Sequence, residues 1–337
     1  MTAVRTLVLL AAMLGACAPT IRAPGDAINQ PLLTGNGVHT ADGEILPVKI
    51  WAPEQGAPKA VIIALHGFND YSNFFAAPGA FLAKHRVQSY AYDQRGFGAA
   101  PAPGVWAGTD AMTDDLRTMI RLVQGRHPQT PLYLLGDSMG GAVILVAGGA
   151  GDLTGIDGVI LAAPAVWGRI TMPWYQRLGL WIGAHLMPSL TLTGEGLKIK
   201  PSDNIEMLLA LGRDPLVIKA TRIDAMHGLV NLMDAALDKA AGFKTPALIL
   251  YGERDEIIPR QPTRMMLARM PEDARRSRRI ALYKDGYHML LRDLKAEVAW
   301  RDILGWIADP DTPLASGADT DAEPRLAGKG EAGNEHR

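Results

Sequence analysis

The chain reads as a doubly wound α/β protein built on a mostly parallel sheet, and three observations carry that expectation. Apolar runs such as Ala60-Val61-Ile62-Ile63-Ala64-Leu65 lack alternation, as strands covered on both faces do. These runs alternate with stretches of helical period, the pattern of strand–helix–strand crossovers. The turns after them hold the candidate reactive residues, and open sheets of this kind bind ligands at the carboxyl ends of their strands.

Composition sets the outer bounds. The 337 residues suffice for one large α/β domain or two small ones, and 48% hydrophobic with 20% charged residues is an ordinary globular balance. A net charge of −1 gives no reason to expect a nucleic-acid partner. The single cysteine, Cys17, excludes an internal disulfide and a cysteine-based metal site.

In chain order, Arg5 precedes a short apolar core, residues 7–14, and then Gly15-Ala16-Cys17. That is the layout of a secretory signal, too short to span a bilayer. Leu14-Gly15-Ala16-Cys17 also resembles the bacterial lipobox. The resemblance implies a signal over residues 1–16, lipid on Cys17 and attachment to a bacterial envelope membrane, with plain secretion or a periplasmic location as the alternative. Residues 17–35, rich in Pro and Gly, read as a tether. Residues 38–51 read as a hairpin turning at Asp42-Gly43, with Pro47 marking an edge or bulge.

Strand 60–65 ends in His66-Gly67-Phe68, a helix is expected to His85, and strand 87–92 ends in Asp93-Gln94-Arg95-Gly96. Over residues 109–127, Met112, Leu116, Met119, Ile120 and Val123 recur at helical spacing behind Thr109 or Asp110 as cap. Strand 132–137 leads into Gly136-Asp137-Ser138-Met139-Gly140, and strand 158–163 follows the next helix. Residues 167–243 interrupt the alternation with helical pattern and no clear strand. Strand 246–251 ends in Gly252-Glu253-Arg254-Asp255, and a helix spans 261–270. Strand 279–283, the Gly286-Tyr287-His288 loop and a helix over 291–308 close the pattern. From residue 309 the absence of aromatics predicts a disordered tail.

Gly-x-Ser-x-Gly recurs by chance in glycine-rich chains. Between a strand and a helix it has the form of a nucleophile elbow, which thrusts a serine hydroxyl out of the strand end. A hydroxyl needs a base at neutral pH. Of the eight histidines only His288 lies in a loop after the last strand. A third residue must orient that imidazole. Asp255 gives the chain order Ser, Asp, His; Asp285 and Glu253 compete on proximity, with Asp285 reading as an ordinary turn residue beside Gly286. The amides of Phe68 and Met139 are the expected oxyanion donors. His66 is assigned no proton transfer, and Asp93 and Arg95 are expected to hold their loop.

Together these motifs resemble the α/β-hydrolase superfamily over about residues 38–308. The stretches 66–72, 92–98 and 136–141, with Pro201-Ser202-Asp203-Asn204 and Arg213-Asp214-Pro215-Leu216, are similar to its monoacylglycerol lipase and lysophospholipase branch. A departure is Phe97-Gly98-Ala99-Ala100, where many relatives carry His-Gly-x-Ser. The resemblance implies an α/β-hydrolase core over residues 36–166 and 244–308, a helical cap over 167–243 and a tail over 309–337. It implies an ester hydrolase that cleaves monoacyl lipids through an acyl-enzyme on Ser138, without cofactor or metal. A proline-type aminopeptidase, an acyltransferase and a non-catalytic binding relative are the alternatives. Trp174, Trp181 and Met187, on an all-round apolar cap helix, are expected either to line an acyl pocket, to rest on lipid or to pack within the cap.

Overall fold

The computed structural model describes residues 18–196 and 198–327, so Cys17 and the expected signal lie outside the described residues. Twelve strands are described among them. Strands β1 (Leu32–Leu33), β2 (Val38–His39) and β3 (Ile45–Leu46) form a small antiparallel sheet. The central sheet holds β4 (Val48–Trp51), β5 (Ala60–Leu65), β6 (Val87–Tyr92), β7 (Leu132–Asp137), β8 (Gly158–Ala162), β11 (Ala247–Gly252) and β12 (Arg278–Tyr283). Its order is β12-β11-β8-β7-β5-β6-β4, all parallel except the β4–β6 pair. β9 (Thr191–Thr193) and β10 (Ala220–Arg222) pair with each other within the insertion.

The unalternated strands are buried on both faces, as their composition requires. Val61, Ile63 and Leu65 face one apolar cluster, and Ala60, Ile62 and Ala64 face the other. The second face is covered by α1 (Ala76–Lys84) and, from the far end of the chain, α8 (Ala296–Ala308). The first face is covered by α2 (Thr109–Arg126), α3 (Met139–Gly149), α6 (Ile223–Lys239), α7 (Arg260–Arg269) and α9 (Ala322–Leu326). Between α3 and α6 the insertion adds α4 (Trp174–Leu186) and α5 (Ile205–Arg213). No helix of the described residues is long and apolar enough to cross a membrane.

Several expectations are corrected. α2 begins after Gly108, and neither Thr109 nor Asp110 caps it. The insertion contains the β9–β10 pair, whose three-residue strands are too short to show a period. Its last helix, α6, returns to the core, burying Leu232, Met233, Ala236 and Leu237 in the same cluster as α3. The segment expected as a tether lies on the body: the Arg22 amide donates to Trp106 O at 2.8 Å, and Leu33 is buried.

The described part of the tail, residues 309–327, is ordered. It runs beside the exposed edge of β12, where the Leu282 amide donates to Ala318 O at 2.8 Å. Leu314, Ala318, Ala322 and Leu326 bury themselves in the two clusters, and Arg279 donates to Thr312 O at 2.6 Å and Asp319 Oδ2 at 2.8 Å. Four aliphatic side chains and a row of hydrogen bonds replace the aromatics whose absence suggested disorder.

Candidate active site

Ser138 sits between β7 and α3 with φ 48° and ψ −109°, a conformation that L-residues seldom adopt. The turn closes because Gly136 and Gly140 lack side chains. A Cβ on Gly136 would lie 2.5 Å from the Gly141 nitrogen, and one on Gly140 would collide with Leu65 O. The strained turn is pinned from both sides. The Ser138 amide donates to Ala162 O at 2.9 Å, and Ser138 O accepts from Ala165 N at 2.9 Å.

His288 follows β12 and Asp255 follows β11, so the sheet brings both to the rim that holds Ser138. The Ser138 hydroxyl donates to His288 Nε2 at 3.0 Å, and His288 Nδ1–H donates to Asp255 Oδ2 at 2.9 Å. A carboxylate only accepts, which sets the tautomer and leaves Nε2 free to take the serine proton. Asp255 is fixed through its other oxygen, which accepts the Ile257 and Ile258 amides at 2.8 and 2.9 Å. The competing carboxylates point elsewhere. Asp285 accepts from Arg254 and Lys295 at 2.7 and 2.9 Å, and Glu253 accepts from Arg325.

Burial opposes a proton on His288, but the hydrogen bond and charge of Asp255, helped by Asp137, outweigh it. The imidazole pKa therefore lies above its ordinary value of 6.5. Asp137, the residue before Ser138, is buried, and its Oδ1 has no hydrogen-bond partner among the described residues. Desolvation pushes its carboxyl up to about 6, opposed by the charges of Arg292 and His288.

The Gly67-Phe68 loop lies against the elbow, with Gly67 close enough that a Cβ there would stand 3.4 Å from Ser138 Cβ. The Phe68 and Met139 amides donate to no other described residue, the state required of donors kept for a substrate oxygen. His66 is buried and neutral: its Nε2 accepts the Gln94 amide at 2.9 Å, so Nδ1–H donates to Gly67 O at 2.8 Å. Asp93 accepts the Ser72 and Ala99 amides at 2.9 and 2.8 Å, and Arg95 pairs with Asp42, Glu44 and Asp115.

The cap residues are a correction. Trp174, Trp181 and Met187 are 72%, 57% and 50% exposed, on the outer side of α4 and its end. The helix packs inward through Gly183 and Ala184, because only small residues let it approach Ile223. Instead, the aromatic neighbours of the Phe68 loop are Phe97 and Trp106, at ring distances of 5.6 and 6.4 Å. Trp106 packs on α6 at Gly228 and ties the cap to that loop. Neither was foreseen, since a lone aromatic in a loop carries no periodic signal.

The family described as Serine aminopeptidase, S33 matches residues 56–295. The chain belongs to this family, within the α/β-hydrolase superfamily. A monoacylglycerol lipase of Mycolicibacterium smegmatis is 26% identical over 276 residues, 77% of this chain and 91% of the relative. The Homo sapiens monoglyceride lipase is 24% identical, over 75% of this chain and 83% of its own. Among solved structures, a soluble variant of the Saccharomyces cerevisiae monoglyceride lipase, in complex with a substrate analogue, superposes with a TM-score of 0.69. That match has 20% identity and covers 86% of this chain and 99% of that one. This S33-family chain thus resembles the superfamily's monoacylglycerol lipases.

Proposed function

We propose that the protein hydrolyses monoacyl lipids, monoacylglycerols or lysophospholipids, through an acyl-enzyme on Ser138. The hydrogen-bonded line from Ser138 through His288 to Asp255 is the observation that carries the chemistry. In this reading Ser138 Oγ attacks the ester carbonyl while His288 Nε2 takes its proton. The carbonyl oxygen becomes an oxyanion held by the Phe68 and Met139 amides, each worth roughly 3–4 kcal/mol in the transition state. Collapse expels the alcohol, which receives the proton from His288. Water then loses a proton to His288, attacks the acyl carbonyl and releases the fatty acid and Ser138. Asp255 orients the imidazole and stabilises its charged form.

The monoacyl-lipid reading is supported by the names of the relatives and by the exposed apolar cap. Trp174, Trp181 and Met187 form, with Leu178 and Leu186, a surface suited to a lipid–water boundary. We place the protein at a bacterial envelope membrane, anchored by lipid on Cys17, with the cap surface as its second contact. An aminopeptidase activity draws support from the family's description.

The decisive experiment is turnover of purified protein on monooleoylglycerol, lysophosphatidylcholine, 4-nitrophenyl acetate and prolyl-4-nitroanilide. Monoacyl lipids are expected to give the highest kcat/KM. Faster cleavage of the prolyl anilide than of any ester would overturn the lipid assignment. In the native host, Cys17→Ser is expected to move the protein from the membrane to the soluble fraction, and unchanged fractionation would remove the anchor.

A further inference from the structure

The loop that carries His288 is bound to the cap by groups that the hydrolytic chemistry does not use. Asp293 lies five residues beyond His288 and is buried, at 7% exposure. Its Oδ2 accepts the amide of Tyr287, the residue before the base, at 2.8 Å. Its Oδ1 accepts the hydroxyl of Ser202 at 2.6 Å, and Ser202 belongs to the cap and is fully buried. The same seam continues on the other side of the histidine. The Met289 amide donates to Pro201 O at 2.9 Å, Asn204 Nδ2 donates to Arg292 O at 3.0 Å, and the Leu294 amide donates to Asp203 Oδ1 at 2.8 Å. The residues before and after His288 are thus both held, directly or through Asp293, by the cap stretch 201–204.

The seam also reaches the opposite wall of the site. Arg292 donates to Asp70 Oδ2 at 2.5 Å in a buried ion pair, and the Asp70 amide donates to Gly67 O at 3.3 Å. From the cap side, the Ile218 amide donates to Asn69 O at 3.0 Å, and Tyr71 OH donates to Asp214 Oδ2 at 2.7 Å. The base and the oxyanion loop are therefore fastened to the same inserted segment.

We propose that Asp293, clamped by Ser202 of the cap, is the positioning residue that holds His288 in line between Ser138 and Asp255, so that seating of the cap sets the reactivity of the base. The imidazole must meet two partners at once, and displacements near 1 Å in such an arrangement cost on the order of a hundredfold in rate. An ionised carboxylate offers two accepting oxygens and matches two donors, the Tyr287 amide and the Ser202 hydroxyl. An asparagine keeps one accepting oxygen for the Tyr287 amide and meets Ser202 with an N–H instead, so Asp293→Asn reverses the Ser202 contact and removes the charge that strengthens both bonds. Ser202→Ala removes the cap end alone. The inference rests on the reading of Ser138 and His288 as nucleophile and base.

The test compares the full chain with Asp293→Asn, Ser202→Ala, their double variant and Asp285→Asn. The last lies in the same loop, but its exposed carboxylate binds Arg254 and Lys295, away from the cap. Two rates are measured against pH beside a thermal melt: fluorophosphonate labelling of Ser138 and turnover of 4-nitrophenyl acetate. Asp293→Asn and Ser202→Ala are each expected to lower labelling and kcat by about 10- to 100-fold with KM unchanged. Their acid limb should move to lower pH, since the Asp255 bond that raises the His288 pKa loosens while Asp137 and Arg292 stay in place. The double variant should be no slower than the slower single one, and Asp285→Asn should match the parent. A folded Asp293→Asn or Ser202→Ala with parental labelling rate and acid limb overturns the proposal, whatever its melting temperature. Fully additive losses in the double variant overturn it too. If Asp293→Asn fails to fold, Ser202→Ala alone decides. Failure of the parent to label would sink the nucleophile reading and this inference with it, whereas a labelled parent with indifferent variants sinks only the inference.

Discussion

Two influences act on the proton of His288 in opposite directions, and their balance is measurable. Burial disfavours the imidazolium; Asp255 and Asp137 favour it and prevail. In the proposed mechanism His288 must be neutral to act as base, so activity should rise with pH and reach half its plateau above about 6.5, read from a kcat/KM profile on a soluble ester. Asp255→Asn should cost on the order of 10⁴ in turnover and move the residual acid limb downward, whereas Asp285→Asn should leave both in place. The reverse result would transfer the orienting role to Asp285. Asp137 offers a second, opposite test. Its carboxyl is raised from 3.8 to about 6 by burial, so the folded state favours the protonated form. Its contribution to stability is therefore present below 3.8 and is lost as pH rises through about 6. Asp137→Asn should therefore be more stable than the parent at pH 8, by on the order of 1–3 kcal/mol, and not at pH 3.5, as denaturant melts would show. At this scale Ser138, Asp255 and His288 were legible in the sequence, because each stands next to a strand end. Asp293, Ser202 and Arg292 were not, because their partners lie 91 or 222 residues away and no spacing announces them.

At the scale of elements, the cap helix α4 decides between packing and contact. Its apolar residues run nearly all round, and period alone cannot say which face is buried. The structure buries Gly183 and Ala184 and leaves Trp174 and Trp181 in solvent. The double variant Trp174→Ala with Trp181→Ala should therefore keep parental turnover of 4-nitrophenyl acetate while its partitioning to phospholipid vesicles falls roughly tenfold or more, at about 1.5–3 kcal/mol per large side chain transferred. Equal loss on the soluble ester would mean that these residues hold the cap together. The strands of the sheet were easier to read than the cap. A strand covered on both faces must be apolar throughout, whereas β9 and β10 are three-residue pieces made by pairing, β9 exposed throughout and β10 burying only Thr221.

For the molecule as a whole, the tail acts as a cover for an open edge. β12 ends the sheet, and an unpaired edge is a site for aggregation. Removing residues 309–337 should lower the melting temperature by a few degrees, at about 1.5 °C per kcal/mol for a chain of this size, and should raise light scattering on heating. An unchanged melt without scattering would show the tail to be dispensable. What the sequence by itself determined was the succession of strands and helices, the elbow and the two partners that share its rim. Those features depend on local order: a run of apolar residues, a glycine pair that permits a tight turn, a polar residue at the end of each strand. What only the tertiary structure decided was which surfaces meet. The tail lies on β12, the face of α4 that bears Trp174 looks outward, and Ser202 is locked to Asp293. Those outcomes depend on complementary hydrogen bonds and shapes brought together across long stretches of chain, and no single stretch holds both halves of such a contact.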